Sequence, residues 1–450
     1  MKIGSRYSKK RIILMIVIVA MMIIANLATL SVGWLVILFS STYVLTIIFF
    51  KIILGNTKRL VTAIETIYIS IYFLYSIMNP IQFMLDGGGQ RSWIVSVNSD
   101  LIVATLLLYF NVYCLFVILL LLTGHPKTNT FEDVASKLIN QKIKVTLKPN
   151  VFDLIAFGCL IIFAYYFVRN IGNLLSFVSF TSLRSDLTFS GQQYIWLYMM
   201  AYTLTFMSGI PFQRNYLLKT TNLLRVILVI CFWAMSLLID RRHILPVVVS
   251  VALLFLATKR KVSLKSFVPF FVVIATLLSL AVIRLGYTLN SLAFPTLFYT
   301  LFGEFILTNY VSCYYIANPP AALLFGSTYI WNTLTRIVPR AIFPGKPEDL
   351  ALVFYNQAIH TGSGYAFNPI AEGLINFGTF SVISTPLVIF FVMSIGSRLY
   401  KKEPLFYLMM CAYSFDFMRG EFPNSMFDIA VLYIFLHFMN KSTLSKSKRA

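Results

Sequence analysis

Arginine is the residue type whose placement in this sequence most invites a chemical reading. Arg241 and Arg242 are adjacent, within Asp240-Arg241-Arg242-His243, at the mouth of two apolar segments. Arg284 and Arg419 each close an apolar run, and Lys346 follows in the turn-forming Pro344-Gly345-Lys346-Pro347. Arg336 and Arg340 are four apart, so they share one face if Tyr329–Arg340 is helical as far as Pro339. A guanidinium fork binds phosphate bidentately, keeps its charge and is less strongly hydrated than an ammonium. Such forks converging at a membrane surface would hold a pyrophosphate while its lipid tail stayed in the bilayer. Taken singly, each arginine has another reading: snorkelling, or pairing within the chain to Asp186, Asp240 or Glu304.

A transfer reaction also needs a group that accepts a proton near working pH within reach of a hydroxyl. His360 lies in a glycine-rich turn between the basic patch and Glu372. His360 and Glu372 are therefore the candidate general bases, with Glu304 behind them. Other chemistries lack their signatures. There is no Walker lysine loop, no GxGxxG after a strand, no HExxH and no DxD-like carboxylate cluster, so ATP, NAD and nucleotide sugars are not expected ligands. The five cysteines are scattered singly, with no CxxC or Cys/His spacing, so neither a metal nor a disulfide framework is expected. No cofactor is implied.

These residues must be positioned by an apolar scaffold. Of 450 residues, 58% are hydrophobic and 12% charged, with mean hydropathy +0.80. Soluble domains are about a quarter charged, so the expectation is an all-α integral membrane protein, one polytopic domain over 1–450. Apolar runs near 20 residues match a bilayer core of about 30 Å. Twelve spans are expected. The first nine are Ile12–Leu30, Trp34–Leu54, Leu60–Met78, Leu101–Leu122, Val151–Val168, Tyr194–Ile210, Leu223–Ile239, Ile244–Ala257 and Phe267–Ile283. The last three are Leu374–Ile395, Leu405–Met418 and Met426–Met439. The first run lacks a small-residue cleavage site and reads as a retained span.

Loop charge orients the bundle. Alternate loops carry the lysines, which places both termini in the cytoplasm and residues 284–373 outside, as a large outer loop before the last three spans. The net charge of +21 then reports topology, not nucleic acid. Ten basic residues fall outside: Arg91, Arg169, Arg184, Arg241, Arg242, Arg284, Arg336, Arg340, Lys346 and Arg419. Nine of these are arginine, against the positive-inside tendency, so something specific must favour them. Leu297–Ala317 is long enough to span, but spanning would invert the later loops. It is expected to lie on the outer surface or to re-enter partway.

The stretch FGSTYIWNTLTRIVPRAIFPGKP (Phe325 to Pro347), followed by GxGY and NPIAEGLINFG within Gly362 to Gly378, resembles the O-antigen polymerase family, the Wzy-type oligosaccharide repeat-unit polymerases. The layout with a large outer loop before three final spans is similar too, as is Arg419-Gly420 before the last span. The resemblance implies a GT-C-like bundle in a bacterial inner membrane with its site facing the periplasm. It implies transfer of a growing chain from undecaprenyl pyrophosphate to a hydroxyl of the next lipid-linked repeat unit. Membrane lipids, that lipid-linked oligosaccharide and a chain-length regulator would be the partners. On the resemblance, Arg336, Arg340, Lys346, Glu372 and Arg419 are motif positions. Arg241, Arg242 and Arg284 rest on position and charge. A ligase of nearly identical chemistry and a lipid-linked oligosaccharide flippase are the alternatives; the single disproportionate loop and the lack of a visible repeat favour an enzyme over a flippase.

Overall fold

The computed structural model describes residues 3–86, 97–127, 133–134, 136–137, 151–169, 192–208, 220–239, 245–258, 293–338, 342–359, 366–399 and 402–444. Every regular element among them is helical. The chain divides into two compact units. One comprises Met1–Thr130, Phe267–Ile395 and Ser414–Phe427; the other comprises Phe131–Ser266, Gly396–Tyr413 and Asp428–Ala450. The expected span Phe267–Ile283 lies outside the described residues.

The first unit begins with α1 (Ile3–Leu27), α2 (Val32–Leu54), the short α3 (Thr57–Thr62), α4 (Ile64–Asp86) and α5 (Ser99–Leu122). Asparagine starts two of these helices: Asn56 Oδ1 accepts from the Arg59 N–H at 2.7 Å, and Asn98 Oδ1 from the Leu101 N–H at 2.8 Å. Ile12, Ile16, Trp34, Ile37 and Val44 point outward from α1 and α2, as side chains solvated by lipid would. Inside, the buried Phe39 ring meets Phe73, Phe110 and Tyr113 edge-on at 5.1–5.3 Å.

Polar contacts fix the direction of these helices. Arg11 donates to the Gly124 carbonyl at 2.9 Å, and His125 Nδ1 lies 2.5 Å from Glu65 Oε1. The starts of α1 and α4 and the end of α5 therefore share one end of the unit, as successive alternating spans require. Glu65 and His125 are buried against each other, because a carboxylate withdrawn from water needs a hydrogen-bonding partner.

Helix α10 (Phe294–Ala317) departs from expectation. It does not lie on a surface. Its residues Ile306 to Tyr315 are mostly buried, and it packs on α4 and α5. The Tyr75 and Phe305 rings are 4.6 Å apart, Asn79 donates to Asn309 Oδ1 at 2.9 Å, and Asn309 donates to the Tyr75 carbonyl at 3.3 Å. These partners advance together along both chains, so α10 runs parallel to α4 and level with it. Thr105 meets Cys313 at 3.4 Å and Tyr109 meets Ser312 at 3.0 Å, which ties in α5. The expectation rests on loop charge, because a span here inverts the later loops; the packing follows instead from a small polar stripe that binds neighbouring helices once they are present.

The second unit holds α6 (Val151–Arg169), α7 (Gln192–Met207), α8 (Thr220–Ile239) and α9 (Leu245–Thr258). The remaining long helices are α13 (Pro369–Phe377), α14 (Ser381–Leu399), α15 (Pro404–Met418) and α16 (Phe422–Leu444); α14, α15 and α16 each contribute to both units. Between α10 and α13 lie a π-helical turn at Thr328–Asn332, α11 (Thr333–Arg336) and α12 (Leu350–Phe354). Among the described residues six helical stretches are long and apolar enough to cross a membrane: Lys9–Leu27, Val32–Leu54, Ile64–Asp86, Ser99–Leu122, Pro369–Leu399 and Phe422–Met439. The chain is an all-α protein with the helices of a membrane bundle.

Arg225 is buried in the second unit, with Nε 2.9 Å from Asp153 Oδ1 and Nη2 2.7 Å from Oδ2. Asn222 accepts from Nη1 at 3.0 Å, and the Tyr202 hydroxyl donates to Asp153 Oδ1 at 2.7 Å. The pair is bidentate and further bonded on both sides, the condition under which burial of two charges is tolerated. Arg225→Ala leaves Asp153 buried without its cation and is expected to cost about 3–5 kcal/mol. This would be read as earlier unfolding of the detergent-solubilised chain. Pairing Arg225→Met with Asp153→Leu should recover most of that loss.

Candidate functional site

The basic stretch forms a closed structure within the first unit. Its two ends meet where the Leu324 N–H donates to the Ile375 carbonyl at 3.2 Å and the Phe325 N–H to the Asn376 carbonyl at 2.9 Å. The Gly326 N–H donates to Asn376 Oδ1 at 3.0 Å. Gly326 has φ +83°, a conformation that favours glycine, and its α-carbon lies against the Phe377 ring. The segment thus leaves α10 and returns into α13 through a fixed neck. Its described parts are short turns and short helices rather than one helix, as its prolines and glycines indicate.

Asn368 begins α13, where its side chain accepts from the Ala371 N–H at 2.8 Å. The same residue reaches α10, donating to the Thr308 carbonyl at 2.6 Å and accepting from the Ser312 hydroxyl at 3.1 Å. Glu372 therefore falls in the first turn of a helix whose position is set by α10. A carboxylate there is favoured by the helix dipole.

Glu372 is fully buried, and both of its oxygens are occupied. Thr328 donates to Oε1 at 2.7 Å, and the Phe422 N–H, the first of α16, donates to Oε2 at 2.7 Å. Asn376 completes the group by donating to Thr328 Oγ1 at 2.7 Å. This corrects the expectation that Glu372 faces substrate as a base. Neither oxygen is open to an acceptor hydroxyl, and removing either donor would strand a buried polar group.

The same device recurs one step along the chain. Glu421 precedes α16 and is buried; its Oε2 accepts from the Leu350 N–H, the first of α12, at 2.6 Å. Its Oε1 accepts from the Asn424 side chain. Asp349, immediately before α12, pairs with Arg336 at the end of α11. Lys346 donates to the Arg336 carbonyl at 2.8 Å and the Val338 carbonyl at 3.1 Å, closing the end of that helix. A continuous relay thus runs from α13 to the start of α16, to α12 and to Arg336. Gly420 permits the turn that begins it: a Cβ there would lie 3.0 Å from the Asp416 carbonyl and 3.3 Å from Ser425 Oγ.

Arg419 stands in this turn, with Nη1 3.0 Å from Glu304 Oε2 on α10. Its intraprotein pairing is one of the alternatives the sequence left open. The three described cations of the expected phosphate site, Arg336, Lys346 and Arg419, come together in one unit, each bonded to protein. The basic patch is therefore interleaved with carboxylates, because isolated guanidinium groups at this depth would repel one another. Arg241, Arg242, Arg284, Arg340 and His360 lie outside the described residues. Among the described residues no cluster of metal-ligating side chains occurs.

Glu421, Thr328, Asn376 and Asp349 are not among the residues the sequence singles out. Their signals were local. Asp349-Leu350 and Glu421-Phe422-Pro423 are acidic residues preceding apolar runs, the pattern of a helix start. Nothing local indicated which distant helix each carboxylate would serve. Comparison of the chain with protein-family models, curated proteins and solved structures finds no match.

Burial pushes the Glu421 carboxyl up to about 8, with the nearby Asp349 charge adding to the shift and the Leu350 N–H and Arg336 opposing it. Asn424 Oδ1 is buried without a partner; turning that amide over would let it accept the proton of a neutral Glu421. The folded-state value lies above the unfolded one. The contribution is therefore full below about 4.5 and is lost as pH rises through about 8. Thermal unfolding should show stability declining over that window. Glu421→Gln, which can still accept from Leu350, should flatten the decline, whereas Glu421→Ala should destabilise the chain at every pH.

Proposed function

We propose that this chain is a membrane glycosyltransferase that polymerises undecaprenyl-pyrophosphate-linked oligosaccharide repeat units into a surface polysaccharide of the O-antigen type. One observation carries the reading. Arg336, Lys346, Glu372 and Arg419, the described positions of the polymerase-like motifs, are spread over more than eighty residues of sequence, yet one hydrogen-bonded relay joins their segments. A loop that merely connected two spans would have no need of that construction.

In this reading the bundle sits in a bacterial inner membrane, and the relay opens toward the periplasm. The growing chain is the donor. Its reducing-end sugar leaves pyrophosphate for a hydroxyl of the incoming unit. The largest service the protein can supply is preorganised positive charge where negative charge develops on the leaving oxygen. Arg419 and Arg336 supply it, held in place by Glu304 and Asp349 so that little reorganisation is needed when substrate arrives. Glu372 and Glu421 act as positioning residues. They orient the starts of α16 and α12, and through them the two guanidinium groups.

The test is lipid analysis in cells whose own copy of the gene is deleted. Loss of a polymerase leaves single capped repeats, loss of a ligase accumulates lipid-linked polymer, and loss of a flippase traps single units on the inner side. Single capped repeats are expected. Restoring the gene with Arg419→Lys keeps the charge but removes the fork. It should lower polymer by about 10²–10³-fold at normal protein level, the usual effect of losing one preorganised stabilising group. Wild-type polymer from both Arg419→Lys and Arg336→Lys would rule out the phosphate-holding role.

A further inference from the structure

The carboxylates of the relay are not equivalent. Glu372 and Glu421 are buried, with both oxygens of each already accepting hydrogen bonds. Asp349 holds Arg336 at the end of a short helix. Glu304 differs: its side chain is 56% exposed, and only Oε2 is engaged, by Arg419 at 3.0 Å. Its Oε1 takes no donor among the described residues.

Its place on α10 is equally distinctive. Before it and just after it, Phe294, Phe298, Phe302 and Phe305 form a ladder of ring contacts at 6.4, 4.7 and 6.2 Å, each ring at least partly exposed. Beyond it, Thr308, Asn309 and Ser312 are buried and bonded to other helices. Glu304 marks the change from an apolar to a polar face.

Its depth follows from Tyr75, the central residue of the 23-residue α4, a helix about 34 Å long at 1.5 Å per residue. The Tyr75 ring touches Phe305, and its hydroxyl donates at 3.3 Å to the Phe415 carbonyl, one turn before Arg419. The Arg419–Glu304 pair therefore lies near half-height in the unit. An exposed carboxylate at that level of a spanning bundle must face water or a polar ligand, because hydrocarbon would not tolerate it.

We propose, on the polymerase reading above, that Glu304 is the general base of the transfer. Arg419 sets it against the leaving group: one edge of the guanidinium holds Glu304 Oε2, and the other takes a phosphate oxygen. The acceptor hydroxyl lies against Oε1. Its oxygen attacks the anomeric carbon and forms the new glycosidic bond, while its proton passes to Glu304. The bond from the anomeric carbon to the pyrophosphate oxygen breaks with its electron pair on that oxygen, beside Arg419. The proton on Glu304 then leaves to water, restoring the carboxylate.

The experiment uses the full chain in nanodiscs, with lipid-linked repeat units as substrate and undecaprenyl pyrophosphate as the binding probe. Glu304→Gln keeps the shape and the Arg419 contact but cannot accept the proton. Polymer formation should fall by about 10²–10⁴-fold while undecaprenyl pyrophosphate still binds. Glu304→Asp should retain part of the rate. Two results overturn the proposal: wild-type polymer formation by Glu304→Gln, or loss of undecaprenyl pyrophosphate binding in the same variant, which would make the pair structural. A wild-type chain that binds no undecaprenyl pyrophosphate would overturn the polymerase reading itself, and this proposal with it.

Discussion

Two buried carboxylates, each accepting the first N–H of a helix that begins elsewhere in the chain, hold the candidate site together. Glu372 on α13 takes the Phe422 N–H at the start of α16, and Glu421 takes the Leu350 N–H at the start of α12. The first N–H groups of a helix have no partner within it and carry partial positive charge, so a carboxylate answers both needs at once. In an apolar surrounding the alternative to such a bond is an unsatisfied group on each side, which makes the arrangement hard to displace. The turn bearing Arg419 and the loop bearing Arg336 inherit their positions from these two contacts.

The relay in turn depends on a polar seam inside the first unit. Asn79, Asn309, Thr105, Cys313, Tyr109, Ser312 and Asn368 connect α4, α5, α10 and α13 through short contacts between small or uncharged side chains. Between helices surrounded by lipid, apolar surface gives little reason to prefer one neighbour, and bonds of this kind supply the preference. They set α10 parallel to α4 and bring Glu304 alongside Arg419. The floor of the site is thus a membrane-type helix contact, and its roof is a loop held by carboxylates.

Charge balance gives the site its character. An array of unpaired arginines would bind phosphate strongly but would be costly to hold without ligand. Here Arg336 and Arg419 each have a carboxylate beside them. On the proposed function, binding of a pyrophosphate would be a sharing of guanidinium edges, with the local charge balanced before substrate arrives. The same logic places Arg225 between Asp153 and Asn222 in the second unit, where the bonds are closed on every side and the role is structural.

The sequence by itself determined the solvent and the period. Low charge and long apolar runs made the protein a helical membrane bundle, although the expected span from Leu374 begins as a helix at Pro369. The described parts of 326–359 are short turns and short helices, as their prolines and glycines require, because those residues act locally. The tertiary structure alone decided which acids and bases meet. Glu372 and Glu304 look alike as single acidic residues in apolar surroundings, yet one is sealed by Thr328 and Phe422 while the other stays open beside Arg419. Likewise, loop charge left α10 out of the bundle, whereas Asn79 and Tyr109 receive its polar stripe within it. The cost of a buried polar group is set by its partner, and the partner lies far away in sequence.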